Sequence, residues 1–355
     1  MNLPNIKKPN CPNFSCGPTR KPDGWSLKNL DKNFLGRYHR SIEVKNYIRN
    51  ILKKLKVSLN IPKSYKVIMF PGSCTGAMEA VIWSFLGSRD VSTIIYDYWA
   101  QSWFEDLKKI GVKIDVRRNL NGRVPKLENI PKKNDIVFVW TGTSTGMSIS
   151  NTKFISDLQK GLVISDITSA VFIYDLPWTK LDVSVFSWQK ALGSESQHGI
   201  IVMSPKALKR IKKKNNPKVL SIYNHDLLVN TPSLLSIADF EHCLDIFNEN
   251  GGLKNSLKKT IENKMLLDEW EKRSCNLRYF CENKNFQSLS PCYFVLKKKK
   301  NLKKIFKFLN NNNVAYDIEN YRKAPQGIRI WNGPNIKKND LIALTNWIDW
   351  CFNKL

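Results

Sequence analysis

At 355 residues, 42% hydrophobic and 11% aromatic, the chain holds enough apolar side chain for a large α/β unit with a smaller companion, which excludes a small module and a disordered chain. Its 17 glycines and 16 prolines exclude collagen-like and low-complexity classes. Lysine and arginine outnumber acidic residues 57 to 30, a net charge of +27, which admits an anionic partner: a nucleic acid, or small multiply charged acids gathered by a positive field.

Much of that charge lies in the stretches KKKNNPK (212–218) and KKKK (297–300), which, with NNNN (310–313), read as solvated surface, because charge alone attracts anions without selecting among them. No apolar run approaches the roughly 20 residues of a membrane span. The segment MNLPNIKKPNCPNFSCGP lacks the apolar core of a secretory signal, so the expectation is a soluble, cytoplasmic protein. Eight cysteines without a C-x-x-C pair predict free thiols in a reducing compartment. The four histidines, His39, His198, His225 and His242, are too scattered to suggest a metal site.

In chain order, residues 42–56 show helical apolar spacing. KVIMF (66–70) followed by PGSCTGAMEAVIWSFLG reads as strand, tight glycine turn and helix. A strand at 92–96 and a helix at 102–111 come next, then strands at 112–116, 135–140, 161–166, 182–187 and 199–204. Strands separated by helices predict a mostly parallel sheet covered on both faces, with ligands bound where loops leave the carboxyl ends of the strands. After about residue 235 the pattern changes. Two long amphipathic helices meet at Gly251 and Gly252, and a shorter α+β stretch follows: CYFVLK, LKKIFKFLNNNN, VAYDI, GIRIWNG and a last helix, DLIALTNWIDWCF. The expected division is a large domain over 17–252 and a small one over 253–355, with residues 1–16 packed near the latter.

Three segments carry chemistry. In SWQKALGSESQHG, Lys190 directly follows a strand. It reads either as a lysine snorkelling from a sheet edge or as a Schiff-base lysine, whose amine must be partly desolvated to react near neutral pH. In VISDITSA, a strand ends in Asp166, either a turn cap or a carboxylate for a pyridinium nitrogen. Together the two suit pyridoxal phosphate, which needs a lysine for its aldehyde and an acid beside its ring nitrogen. In PGSCTGAMEA, the backbone at a helix start and the hydroxyls of Ser73 and Thr75 could cradle a phosphate. Trp99, after another strand end, could stack on the ring or belong to the core.

These segments, with NFSCGPT (13–19), VNTPSLL (229–235) and VAYDIENYRKAPQGIRIWNG (314–333), resemble the phosphoserine aminotransferase family, in order, from about residue 11 onward. The resemblance implies a fold-type-I pyridoxal-phosphate-dependent transferase, with a mostly parallel seven-stranded sheet and a smaller α+β C-terminal domain. It implies a homodimer with active sites at the subunit interface. It makes Lys190 the Schiff-base lysine, Asp166 the pyridinium partner, Trp99 the stacking ring and Thr143 the hydroxyl near the cofactor O3′. Cys74 and Thr75 match the phosphate-loop pair, beside Ser73, with Gln189 a further phosphate ligand. Asn230 and Thr231 match residues that reach the cofactor phosphate from the other subunit. His39 and Arg40 match substrate-anion residues, also from the other subunit. Arg329 matches the arginine that holds the substrate α-carboxylate, and Arg322 lies where a second anion-binding residue is expected. The chain departs from the family at Cys74 and Thr75, where some relatives use an arginine, and at Ser194 and Ser196, where smaller residues are usual. The segment before Asn230 is also short.

The implied reaction moves the amino group of glutamate to 3-phosphohydroxypyruvate. The phosphorylated four-carbon oxo acid of pyridoxine synthesis is a related acceptor. Other readings are a small-acid aminotransferase, a cysteine desulfurase using Cys275 or Cys281, and a basic nucleic-acid binder without catalysis.

Overall fold

The computed structural model describes residues 4–211, 217, 220–223 and 226–355; His225 and all of the 212–218 stretch except Pro217 lie outside the described residues. Helix α1 (Ile42–Ser58) opens the folded body, its start capped by the Ser41 side chain, which accepts from Val44 N. Its buried Val44, Ile48, Ile51, Leu52 and Leu55 recur at helical spacing and form one inward stripe. Then come β1 (Lys66–Pro71), α2 (Ser73–Phe85), β2 (Val91–Ile95), α3 (Tyr98–Lys109), β3 (Ile114–Arg118) and β4 (Asp135–Val139). A two-rung hairpin, β5 (Thr141–Gly142) and β6 (Met147–Ser148), precedes β7 (Val163–Asp166), β8 (Val183–Ser187), β9 (His198–Met203) and the short α4 (Pro205–Arg210).

Seven of these strands form one sheet in the order β1-β9-β8-β7-β4-β2-β3. Strand β9 runs antiparallel to both its neighbours, and every other pairing is parallel. The mostly parallel seven-stranded sheet expected from the sequence is therefore present. Alternation along β1 sends Ile68 and Phe70 into one buried cluster with α2 and α3, and Val67 and Met69 into another with α1. That second cluster continues without a break into the C-terminal half, through Trp270, Phe294 and Trp347.

The C-terminal half contains α5 (Leu234–Glu249), α6 (Gly252–Arg273), β10 (Leu277–Tyr279), β11 (Cys292–Leu296), α7 (Leu302–Asn311), β12 (Gly327–Ile330) and α8 (Lys338–Lys354). Gly251, with φ of 87°, separates α5 from α6. A three-stranded antiparallel sheet, β10-β11-β12, sets Arg329 opposite Tyr293. The N-terminal segment lies against this half: Tyr316 N donates to Pro12 O (2.9 Å), Trp331 N to Phe14 O (3.0 Å) and Asn10 N to Asp340 Oδ1 (2.8 Å).

The sequence reading needs four corrections. Regular alternation of strands and helices stops after α3: β3 to β4, β7 to β8 and β8 to β9 are joined by chain without an α-helix, and β4 to β7 by the hairpin. The β3–β4 connection, NLNGRVPKLENIPKKN, is interrupted by Pro125 and Pro131 and carries Gly122, so it runs as irregular chain although Val124, Leu127 and Ile130 pack on the core. Helix α3 starts at Tyr98 rather than 102, because Asp97 caps it, Oδ1 accepting from Trp99 N (2.7 Å) and Ala100 N (3.0 Å). VAYDI forms no strand of a sheet; it touches the N-terminal segment through one bridge, and Asp317 sits at φ 54°. Strand β10, only three residues long, was not anticipated. Among the described residues, no helix is long and apolar enough to cross a membrane, and no cluster of His, Cys, Asp or Glu could hold a metal ion.

Candidate active site

Parallel β2, β4, β7 and β8 bring their carboxyl ends to one edge, where the chain turns sharply. After β2, Asp97 not only caps α3 but also accepts, through Oδ2, from the backbone N (3.1 Å) and the hydroxyl of Ser144, stapling α3 to the β5–β6 turn. A Cβ on Gly142 would lie 2.6 Å from the Asp97 Cβ, so only glycine permits this approach. Strand β7 ends at Asp166, whose Oδ2 accepts from Trp103 Nε1 (3.2 Å) and Oδ1 from Thr168 N (3.0 Å). After β8, Trp188 stacks on Phe240 of α5 with ring centroids 4.1 Å apart, and the chain then reaches Gln189 and Lys190.

An irregular strap from the N-terminal segment crosses over Lys190. Its Nζ donates to Cys16 O, Thr19 Oγ1 donates to Lys190 O (2.5 Å), and Thr19 N donates to Gln189 O (2.9 Å). Gly17 has φ of 136°, and a Cβ there would stand 2.8 Å from Lys190 Nζ. Burial under this cover pushes the Lys190 amine down to about 8; the Arg329 charge acts the same way, while Cys16, Asp166 and Cys74 pull against it. An amine so placed is partly neutral near physiological pH and can act as nucleophile or base.

Helix α2 begins at Gly72 in the left-handed region, with no side-chain cap on its first N–H groups. Ser73 N donates to Gln197 O (3.1 Å), and the lack of a Cβ on Gly199 lets β9 lie against Ser73 O, which a Cβ would approach to 2.3 Å. Cys74 is buried there; burial first, then the Asp166 charge, pushes its thiol well above the usual range. Thr75 is exposed. Gln189 Oε1, Thr168 Oγ1 and Arg329 Nε are buried with no hydrogen-bond partner. Each such atom costs about 1–3 kcal/mol if left unsatisfied, so the group suits a polar ligand.

Trp99 stacks on Tyr321, centroids 5.3 Å apart, and the guanidiniums of Arg322 and Arg329 lie 5.0 and 5.4 Å from the same Tyr321 ring. One aromatic ring thus aligns two cations beside Trp99. Thr143 and Ser169 share a hydroxyl–hydroxyl hydrogen bond. Tyr321 and Asp97 stand at the candidate site without having been singled out from sequence. Asp97 had the signal of a helix cap; Tyr321 becomes legible only through partners distant in the chain.

Of the residues singled out from sequence, Asp166, Cys74 and Arg329 lie within electrostatic reach of Lys190, and Asp166 within reach of Cys74. Among the described residues, no hydrogen bond or ion pair joins His39, Arg40, Asn230 or Thr231 to that group. Arg40, Asn230 and Thr231 are exposed. His39 is buried with Nε2 unpartnered; burial, then Arg40 and Lys45, push its imidazole below the usual value. The departure at Ser194 has a structural use: its hydroxyl donates to Asp239 Oδ2 (2.5 Å).

No protein-family model matches the chain. A phosphoserine aminotransferase of Methanosarcina mazei is 37% identical over 362 residues, covering 97% of this chain and 98% of that one. The pyridoxal-phosphate-bound phosphoserine aminotransferase of Trichomonas vaginalis superposes with a TM-score of 0.79 at 16% identity, over 96% of this chain and 100% of that one. An aspartate aminotransferase of Thermus thermophilus gives 0.83 at 16% identity, over 96% and 99%. The structural likeness spans several aminotransferase activities and shows the fold; the sequence likeness, over nearly the whole of both chains, decides the family: the chain belongs to the phosphoserine aminotransferase family.

Proposed function

We propose that the chain is a transaminase that takes the amino group of L-glutamate, leaving 2-oxoglutarate, and delivers it to 3-phosphohydroxypyruvate, giving O-phospho-L-serine for serine biosynthesis. Its cofactor is pyridoxal 5′-phosphate, which the residues fit. Lys190 carries an amine pushed down to about 8, Asp166 stands near it, α2 offers uncapped N–H groups, and unsatisfied buried polar atoms surround them. The observation that carries the reading is the Lys190 amine, desolvated and within electrostatic reach of the buried Asp166 carboxylate. When bound, the cofactor supplies the electron sink that stabilises negative charge at the substrate Cα.

Each protein group then has a task. Lys190 Nζ takes the proton from the substrate Cα and returns one, because its lowered basicity keeps a neutral fraction available. Asp166 holds a proton on the cofactor ring nitrogen, and its bonds from Trp103 and Thr168 fix its direction. The N–H groups at Cys74 and Thr75, with Ser73 and Gln189, hold the cofactor phosphate. Trp99 and Thr143 would help hold the cofactor ring. Arg329 clamps the substrate α-carboxylate, and Arg322 adds a second cation.

His39, Arg40, Asn230 and Thr231 complete the site from a second copy of the chain, in a homodimer. The exposure of three of them and the orphaned His39 Nε2 support that arrangement. The division into domains near 252/253 follows the change from the large sheet to the small one. A cytoplasmic location accords with eight free thiols. The phosphorylated four-carbon oxo acid of pyridoxine synthesis is a second acceptor of the same chemistry. A general small-acid aminotransferase on the same fold is the alternative.

The test is an acceptor panel with glutamate as donor and the cofactor added. Phosphohydroxypyruvate should exceed pyruvate by a large factor in kcat/KM. Equal use of the two would select the small-acid reading. A protein that stays colourless with the cofactor and binds nucleic acid would overturn both.

A further inference from the structure

Asp239, on α5, is a buried carboxylate with no place in the reaction above. It accepts five hydrogen bonds from four residues in two irregular segments. From the strap, Lys21 Nζ reaches Oδ1 (2.9 Å) and Oδ2 (3.0 Å), and Trp25 Nε1 reaches Oδ1 (2.8 Å). From the loop after Lys190, Ser194 Oγ (2.5 Å) and Glu195 N (2.6 Å) both reach Oδ2. Burying an anion costs several kcal/mol, which charge-assisted bonds offset only when the donors converge from fixed positions.

Both segments it grips hold Lys190. The strap supplies Cys16 O to the amine and Thr19 to the backbone. The loop continues directly from Lys190, and its Glu195 O accepts from Trp188 Nε1 (2.5 Å), on the other side of the lysine. A second clasp lies opposite: Asn335 Nδ2 donates to Thr19 Oγ1 and Arg20 O, each at 2.7 Å. Gly193 packs so closely on Arg20 O that a Cβ would come within 2.5 Å.

We propose that Asp239 is a positioning residue for Lys190: it latches the strap 16–25 to the loop 190–195 and so keeps the lysine covered and aimed. This rests on Lys190 being the cofactor lysine. The charged and titratable groups that act on Lys190 directly are Asp166, Arg329, Cys16 and Cys74, and those around Asp239 are Lys21, Glu195 and Cys243. Because Asp239 acts through the cover, the sign of its effect is diagnostic. Direct loss of a negative charge lowers a nearby amine's pKa; loosened cover admits water and raises it.

The experiment is competitive acetylation of the full-length chain freed of cofactor, read lysine by lysine by mass spectrometry across pH, in wild type and Asp239→Asn. The Lys190 midpoint should rise by roughly one pH unit. With cofactor restored, kcat should fall roughly ten- to a hundredfold while KM for glutamate changes little. Ser194→Ala cuts a single loop-side bond and should shift Lys190 the same way by a smaller amount; it decides the matter if Asp239→Asn does not fold. A Lys190 midpoint that stays or falls, even with a lower melting temperature, overturns the latch and leaves Asp239 a structural ion. The parent reading fails separately, if Lys190→Ala retains the visible absorption of bound cofactor.

Discussion

Lys190 and Asp166 are gripped by their own chain, whereas His39, Arg40, Asn230 and Thr231 make no hydrogen bond or ion pair with them among the described residues. Around Lys190, three hydrogen bonds tie Gln189 and Lys190 to the strap, and Gly17, at φ 136°, lets the strap approach the amine. At the second set of positions, Arg40, Asn230 and Thr231 face solvent, and the His39 imidazole has an unpartnered nitrogen. On the proposed reading, the lysine and its carboxylate are held within one chain, and the residues assigned to phosphate would be completed by a second copy. Such a division would put bond-making on rigid strand ends and leave specificity to surfaces that a second copy completes.

The comparison breaks most sharply at Lys190. Lys190→Ala should lose turnover and the cofactor's visible absorption while the fold persists; a tenth of wild-type rate would end the assignment. Asp166→Ala should still take up cofactor yet lose roughly 10²–10³-fold in kcat. A loss under about fivefold, roughly 1 kcal/mol, would make Asp166 only a turn cap. Arg40→Ala tests the recognition side. It should narrow the preference for phosphohydroxypyruvate over pyruvate by about 1.5–3 kcal/mol, measured as the ratio of kcat/KM values.

Mixing the two lesions tests whether recognition comes from a partner. Lys190→Ala and Arg40→Ala chains, unfolded and refolded together in equal amounts, should recover about a quarter of wild-type activity, since half the dimers are mixed and each mixed dimer holds one whole site. No recovery, with mixed dimers present, would put both residues in one chain's site. The smallest effect concerns stability without cofactor. The Lys190 amine is pushed down to about 8 in the fold against about 10.4 unfolded. Below about 8 it is protonated in both states and the fold bears the cost; that cost fades as pH rises through about 8 to 10.4. Lys190→Met should therefore melt above wild type at pH 7, with the gap closing over that window. A gap constant with pH would mean the amine is not desolvated.

Sequence made the reacting centre legible because it sits at strand ends, where an apolar run stops at an abrupt Asp or Lys. Asp166 closes VISD and Lys190 follows VSVFSWQ, and each stop is visible within a few residues. The seven strands were legible for the same reason. The helix-free connections after α3 were not, since a parallel sheet only needs its crossovers covered, and here irregular chain and the C-terminal half do the covering. Tyr321 and Asp239 were illegible because their meaning lies in partners far along the chain: Trp99 for one, and Lys21, Trp25, Ser194 and Glu195 for the other. A buried aspartate inside SIADFEHCL reads locally as a polar interruption of an apolar face.

The strap has a consequence for the order of synthesis. Residues 16–20 are made long before Asn335 and Asp340, yet their cover over Lys190 is clasped by Asn335 Nδ2 on Thr19 and Arg20 and by Asp340 paired to Arg20 (2.9 Å). At about 5–20 residues per second, the large sheet has time to form while the last helix is still being made. A nascent chain therefore carries Lys190 and Asp166 long before it carries a covered lysine. The covered, desolvated amine therefore depends on contacts between segments more than 300 residues apart in the chain.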